Sequence, residues 1–343
     1  MPQLSPEQLA PMMANVETTV GTRPATFVPN TQGFLSINSP NPITPDFGFQ
    51  DILPHSTGWT KQKSIPTTAL QPVNFLFPMT GGTSATAGWR HLPILQAAGC
   101  KATTGANIAL TPIAPADAKS ATFAVEMPGY QVGVTAESVV LEANGCFGSA
   151  ILRGTFDGGF MGEFRGLGLY LDPAETTLKA AYGGGSTAWS GGTNNANKFI
   201  LSGSNRIKLN NGGSDYFPMV GSYEFDLGVE YLAIKDINAG STFGIYSIMV
   251  VDRNPRLTLV IGLDTLAASG ISYQDINQDA QDGTTWSVGC VYTDLSGRTI
   301  TIAVPTAQVI GVRLGTAQRV RSVAITLKPQ SATPEGEWTI THA

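Results

Sequence analysis

The stretch "EANGCFGSAILRGTFDGGFMGEFRGLGLYL", Glu142 to Leu171, decides how the chain is read. It holds two turn signals, Asn144-Gly145 and Asp157-Gly158-Gly159, each set between apolar or aromatic runs. Asn-Gly supplies the positive φ angles that a two-residue hairpin turn demands, so one hairpin turn is predicted at Asn144-Gly145 and another at Asp157-Gly158. The stretch contains no histidine, and its acidic residues Glu142 and Glu163 lie far apart. It reads as successive hairpins without reactive chemistry.

The same grammar continues along the chain. "WRHLPILQAAGCKA" reads as a short helix ending at Gly99, and "SATFAVEM" and "ESVVLEA" read as strands. Later, "TTWSVGCVYT" and "RTITIAV" flank the turn Asp294 to Gly297. Strand, short helix, hairpin and further strands occur in the same order in both halves, which predicts an internal duplication. The Gly-, Ser- and Asn-rich run Ala180 to Asn197 separates the halves. The expected organisation is an N-terminal domain over 1–175, a linker or loop over 176–198 and a C-terminal domain over 199–343. Residues Thr22 to Pro54, rich in Pro, Asn and Thr, read mostly as an extended arm, with "GFLSIN" the one strand in it. Ser5 to Gln8 reads as the start of a short or broken helix.

Composition narrows the class. Charged residues make up 13% of the 343, against ~25% in an ordinary soluble domain. A surface with so little charge is either neutral and polar or buried against partner chains, because interface cores are depleted in charge. The net charge is −5 and no basic run occurs, which argues against a tight grip on nucleic acid. The three cysteines, Cys100, Cys146 and Cys290, lack metal or disulfide spacing and read as buried thiols. The N-terminus does not resemble a signal peptide, and no apolar window reaches the ~18 residues of a membrane span.

The sequence holds little reactive chemistry. Asp275-Ile276-Asn277-Gln278-Asp279 resembles the start of a calcium loop, but Ala280 stands where glycine is required and Trp286 where a bidentate glutamate is required, so it reads as an acidic loop. His55, His91 and His342 are scattered, without ligand spacing. Glu137 and Glu142, five residues apart in one expected strand, face opposite sides and form no carboxylate pair. No catalytic residue, metal site or cofactor site is assigned.

"ANVETTVGTRP" (Ala14 to Pro24) and "NPITP" (Asn41 to Pro45) resemble the opening of the long tail tube proteins of non-contractile bacteriophage tails, with Asn15 where lysine is usual and Val20 where an aromatic is usual. "LQAAGC", "GSAILRGTFDGGFMGEFRGLGLY", "YEFDLGVE" and "IMVVDRNPRLTLVI" are similar to later parts of that family, in the same order. The resemblance implies a mainly β chain of two tandem tube-type β-sandwiches, each flanked by a short helix. It implies hairpins that join neighbours into a closed inner β-barrel, three chains to a pseudo-sixfold ring, and rings stacked into a tube that DNA crosses. The implied partners are further copies of the chain, the tape measure protein, and terminator and distal tail proteins. The implied location is the virion tail, assembled in the host bacterial cytoplasm. An acidic lumen is also implied, for which Glu126, Glu137, Glu142, Glu163 and Asp294 are the candidates beside the turns. Other readings are a terminator, baseplate hub or capsid decoration protein, or a carbohydrate-binding β-sandwich using some of the five tryptophans.

Overall fold

The computed structural model describes residues 9–25, 27, 33–37, 42–50, 65–82, 89–128, 138–155, 159–171, 174–175, 207–213, 215–235, 245–264, 270–294, 296–317 and 320–343. The chain is mainly β. Strands β1 (Leu9–Val16), β2 (Gly33–Ile37), β3 (Asp46–Gln50) and β4 (Ile65–Pro78) precede helix α1 (Leu92–Ala97). Then come β5 (Cys100–Thr104), β6 (Ile108–Pro112), β7 (Ala121–Pro128), β8 (Ser138–Thr155), β9 (Gly159–Tyr170) and β10 (Ala174–Glu175). The second half brings β11 (Ile207–Asn210), β12 (Asp215–Tyr216), β13 (Val220–Asp226), β14 (Val229–Lys235), β15 (Ile245–Arg253) and β16 (Arg256–Gly262). Helix α2 (Tyr273–Asp282) leads into β17 (Thr285–Thr293), β18 (Thr299–Ala317), β19 (Val320–Pro329) and β20 (Thr339–His342).

The pairing pattern recurs. In the first half neighbours run β1–β7–β8–β9–β4, and in the second β11–β17–β18–β19–β16, all antiparallel. Each half has its helix between the fifth of these strands and the second in chain order. Each half also returns a late strand to its long one: β10 to Val139 and Val140 of β8, β20 to Ile300 through Ala303 of β18.

No hairpin turn forms at Asn144-Gly145, which corrects the prediction. β8 runs straight through, and Gly145 and Cys146 together oppose the single residue Gly168, between the pairs Asn144↔Leu169 and Phe147↔Leu167. This is a bulge whose first residue is a glycine at φ +61°. The Asn-Gly pair supplied the positive φ, but both edges of β8 find partners here, β7 on one side and β9 on the other, so the chain bends without reversing. β8 bulges against β7 as well, where Asn144 and Gly145 oppose Thr122, and β18 bulges at the matching place against β17. Pro305 and Thr306 oppose Ser287, between Val288↔Val304 and Trp286↔Ala307. A proline is tolerated there because a bulged residue need not donate to the ladder.

Other expectations meet the structure as follows. The Asp294–Gly297 turn is present: Gly297 has φ +81° and donates its N–H to the Asp294 carbonyl at 3.1 Å. β8 and β9 pair up to Thr155↔Gly159, while Asp157 and Gly158 of the predicted turn lie outside the described residues. So do the segment 176–198, Ser5 to Gln8 and Glu137. α1 falls inside the stretch predicted helical, with Gly99 at φ +78° beyond it. Asp275 to Asp279 is neither calcium loop nor acidic loop but the body of α2. Ser272 accepts from the Asp275 N–H, the Asp275 carboxylate accepts from the Ser272 N–H, and Gly283 closes the helix at φ +70°. Part of the expected arm is built into the sheet, since β3 pairs β4 and Phe27 and Phe34 are buried.

The halves interlock. Past the bulge, β8 exchanges its partner β7 for β13, pairing Ile151↔Asp226 through Thr155↔Ser222. The β5–β6 hairpin joins β20 at Leu110↔Ile340. One apolar cluster runs through both halves, from Phe75, Phe77 and Phe164 to Trp286, Ile325 and Trp338. At the seam the Phe160 and Tyr292 rings stack with centroids 4.0 Å apart. Gly154 makes that seam possible: a Cβ there would lie 2.0 Å from the Tyr292 hydroxyl oxygen. We expect Gly154→Ala to destabilise the fold by about 1–3 kcal/mol through overpacking. Adding Tyr292→Phe removes the closest contact, while the ring carbons at 2.8 and 2.9 Å remain, so it should recover part of that loss in a thermal melt. A double variant no more stable than Gly154→Ala would refute the seam.

Candidate functional site

Two kinds of feature could carry function: the acidic residues beside the turns, and the strand edges and apolar side chains left open. The acidic residues are placed first by the backbone around them. Glu126 lies on β7 and Glu142 on β8; the pairs Ala124↔Glu142 and Glu126↔Val140 put them diagonally on one face of the two-strand unit. That face is partly roofed, for Phe27 packs with Met13, Ala124 and Val140, and Arg23 reaches Glu142 at 3.4 Å.

Glu163 on β9 is held between cations. Arg153 of β8 donates from Nη1 to Glu163 and from Nε to Glu224 at 2.8 Å, and Arg165 donates to Glu163 at 2.5 Å. The Glu163–Arg153–Glu224 chain crosses β9, β8 and β13, so it spans the junction of the halves. Asp294 is fully buried. Its carboxylate accepts from the backbone N–H groups of Ser296 and Arg298 and from Arg298 Nε at 2.7 Å. It organises its own turn. The structure therefore brings Glu126 and Glu142 together, sets Glu163 in an ion-pair chain and places Asp294 apart. Glu137 lies outside the described residues.

A further carboxylate went unnoticed in the sequence except as part of "ETTVGT". Glu17 follows β1 and is 3% exposed. One oxygen accepts from the Gly145 N–H at 2.8 Å and the Thr122 hydroxyl at 2.7 Å; the other accepts from the Ser120 hydroxyl at 2.6 Å and the Gly21 N–H at 2.7 Å. Four donors converge on one anion, with no cation among the described residues. This arrangement replaces water around the buried charge with fixed dipoles. It ties the end of β1, the start of β7 and the β8 bulge to one point. No spacing rule would have found it, because every partner except Gly21 lies 103 to 128 residues away.

The open features sit elsewhere. Beyond Gln308, the edge of β18 that β17 covered has no strand partner among the described residues. Ile310 and Leu314 on that stretch, and Val320 at the start of β19, are exposed, Leu314 by 59%. β14 and β15 form a separate hairpin whose inner side chains, including Val229, Ile248 and Val250, are buried. On its outer face Leu232 and Met249 sit directly opposite each other, with Val251 two residues on, all exposed. Among the described residues no group of three or more His, Cys, Asp or Glu side chains could hold a metal. Cys100, Cys146 and Cys290 are free and buried, and burial pushes the Cys290 thiol up to about 12.

Glu17→Ala should leave buried N–H and hydroxyl donors without an acceptor and cost about 3 kcal/mol or more. Chemical denaturation checks this, and a loss under 1 kcal/mol would show that the bulge does not need the carboxylate. His91, stacked on Phe77 at 5.0 Å, offers a second test. Burial lowers its pKa to about 3, against a backbone hydrogen bond with Thr80 that raises it, while Arg90 lowers it further. A histidine held neutral in the fold but free to protonate when unfolded stabilises fully above its ordinary pKa of about 6.5. As pH falls from there toward 3, stability should drop by roughly 1.4 kcal/mol per unit. His91→Phe should flatten that part of the curve; an unchanged slope would refute the assignment.

No family model matches the chain, and no curated protein matches it.

Proposed function

We propose that this chain is a structural building block that assembles with copies of itself into rings and a tube, in the manner of the long phage tail tube proteins whose sequence it resembles. The observation that carries the reading is the recurrence of one strand-pairing pattern, with the edge of the first unit filled by the second and the same edge of the second without a strand partner among the described residues. A unit whose connecting edge stays open is an assembly element, since open edges invite pairing and closed rings remove them. In this reading each half is a tube-type β-sandwich, three chains close a pseudo-sixfold ring, and inner strands form a barrel around a lumen. The low charge content supports it, as do the exposed apolar side chains Leu232, Met249 and Val251, which would be covered by neighbours.

The proposal assigns the chain no reaction. Its partners are further copies, a tape measure protein inside the tube, and terminator and distal tail proteins at its ends, in a virion tail assembled in the bacterial cytoplasm. DNA would pass without specific binding. Glu126 and Glu142, half-buried on one face, and Glu163 are the acidic groups on the described strands that could border such a passage. Electron microscopy with light scattering tests the reading. The purified chain should form trimeric rings or tubes as its concentration rises. A strictly monomeric mass at high micromolar concentration would overturn it, and discrete closed particles without stacking would favour a terminator instead.

A further inference from the structure

One run of paired strands, β9–β8–β13–β16–β19–β18, crosses both halves, and residues directly opposite each other in it share a face. On one face Phe164, Leu152, Phe225, Leu257, Leu327 and Val309 follow one another across the strands, all buried. The other face is polar and carries charge. Toward β8 its charges are paired with one another: Arg153 and Arg165 hold Glu163, and Arg153 also holds Glu224. Beyond β13 the cations stand alone. Arg256 on β16, Lys328 on β19 and Arg313 on β18 are exposed, and no side-chain ion pair or hydrogen bond engages them among the described residues. Register puts all three on the polar face, through Asp226↔Arg256, Gln308↔Lys328 and Arg313↔Ala324. The residues between them are short: Thr258, Thr326, Ala324 and Gly311. The cations therefore project over a shallow neutral floor. Two carboxylates lie close by without neutralising them. Asp226 stands opposite Arg256 but accepts from the Gly228 N–H at 2.8 Å and the Ser149 hydroxyl at 3.2 Å. Glu230 lines one cavity with Arg256 and forms no ion pair with it.

We propose that Arg256, Lys328 and Arg313 form a contact strip for the phosphate backbone of nucleic acid. Guanidinium and ammonium groups donate charge-assisted hydrogen bonds to phosphate oxygens, and such contacts carry no sequence information. Arg256 and Lys328 stand on neighbouring strands, about 5 Å apart at the backbone, and Arg313 lies about 13 Å further along the sheet. A polymer with a charge at every repeat meets cations so spread in any register, whereas an acidic peptide would need carboxylates placed to match. Three phosphate contacts per chain hold weakly, which suits a strand that must slide. The inference rests on the reading above for where the strip points, into the passage, and it names the groups that touch what passes. It differs from the acidic lining that the resemblance implies, because the unpaired charges on this face of β16, β19 and β18 are cations.

Fluorescence anisotropy of a labelled DNA duplex, titrated with the full chain at several salt concentrations, tests the proposal. The strip variant combines Arg256→Gln, Arg313→Gln and Lys328→Gln. A control combines Lys119→Gln, Lys235→Gln and Arg321→Gln, which changes net charge equally but lies elsewhere, Arg321 being on the opposite face of β19. All six side chains are exposed, so circular dichroism melts should show both variants folded. The parent chain should bind weakly and lose affinity as salt rises. The strip variant should lower the slope of log affinity against log salt by about 2.7, at ~0.9 for each phosphate contact. The control should keep most of that slope. A parent chain that does not bind DNA at low salt, a strip variant that binds like the parent, or equal losses in both variants would overturn the strip. Tighter binding of polyglutamate than of DNA would also overturn it, in favour of an acidic protein segment. Each of these results leaves the tube reading standing if rings or tubes form. A chain that binds DNA through the strip but never assembles would keep the strip and overturn the tube.

Discussion

The fold turns on a bend in one strand. β8 is 18 residues long and serves β7 over its first half and β13 over its last, while β9 follows its other edge nearly throughout. A flat, regular strand would run on beside one partner. The bulge at Gly145 and Cys146 turns β8 away from β7, and the buried Glu17 carboxylate fixes the turn by accepting the Gly145 N–H. The continuity of the sheet, the placing of Tyr292 against Gly154 and the Arg153 ion-pair chain all lie beyond that point. Loss of the bend would leave β13 paired with β16 alone and open the shared core.

The two halves solve one geometric problem with different chemistry. β8 bends at an Asn-Gly pair anchored by an anion; β18 bends at Pro305-Thr306, where proline removes the ladder donor. The pairing pattern recurs while the residues at the two bends differ, so the likeness between the halves lies in the order of elements more than in any match of residues. The seam differs in kind from either bend. It relies on close approach, with glycine at 154 admitting a tyrosine from the other half.

What the sequence revealed followed the reach of each interaction. "RTITIAV" reads as a strand beside the Asp294–Gly297 turn, and it opens β18 with Ile300 and Ile302 buried. Gly99 and the Asp294–Gly297 turn were readable because their hydrogen bonds close within a few residues. Asn144-Gly145 misled because a type I′ turn and a glycine-led bulge ask for the same positive φ; only the strands on either side decide between them. Asp275 to Asp279 reads as an acidic loop by composition, although Ser272, Asp275 and Gly283 form a complete cap pattern for α2. Glu163 could be placed near Arg165 from sequence, but its tie to Arg153 and onward to Glu224 depends on strand register. Glu17 gathers donors from its own loop and from two distant segments.

The junction between β8 and β13 lies within a single polypeptide, and that changes the thermodynamics of any ring built from such units. Six separate units would lose translational and rotational freedom in five association steps, each costing an estimated 4–15 kcal/mol. Three chains of two units lose it in two. The tether between the halves holds the second unit at an effective concentration of about millimolar or higher, so half of the contacts form at any dilution. The concentration threshold for closure is then set by the remaining half alone, and partly built rings of an odd number of units cannot occur.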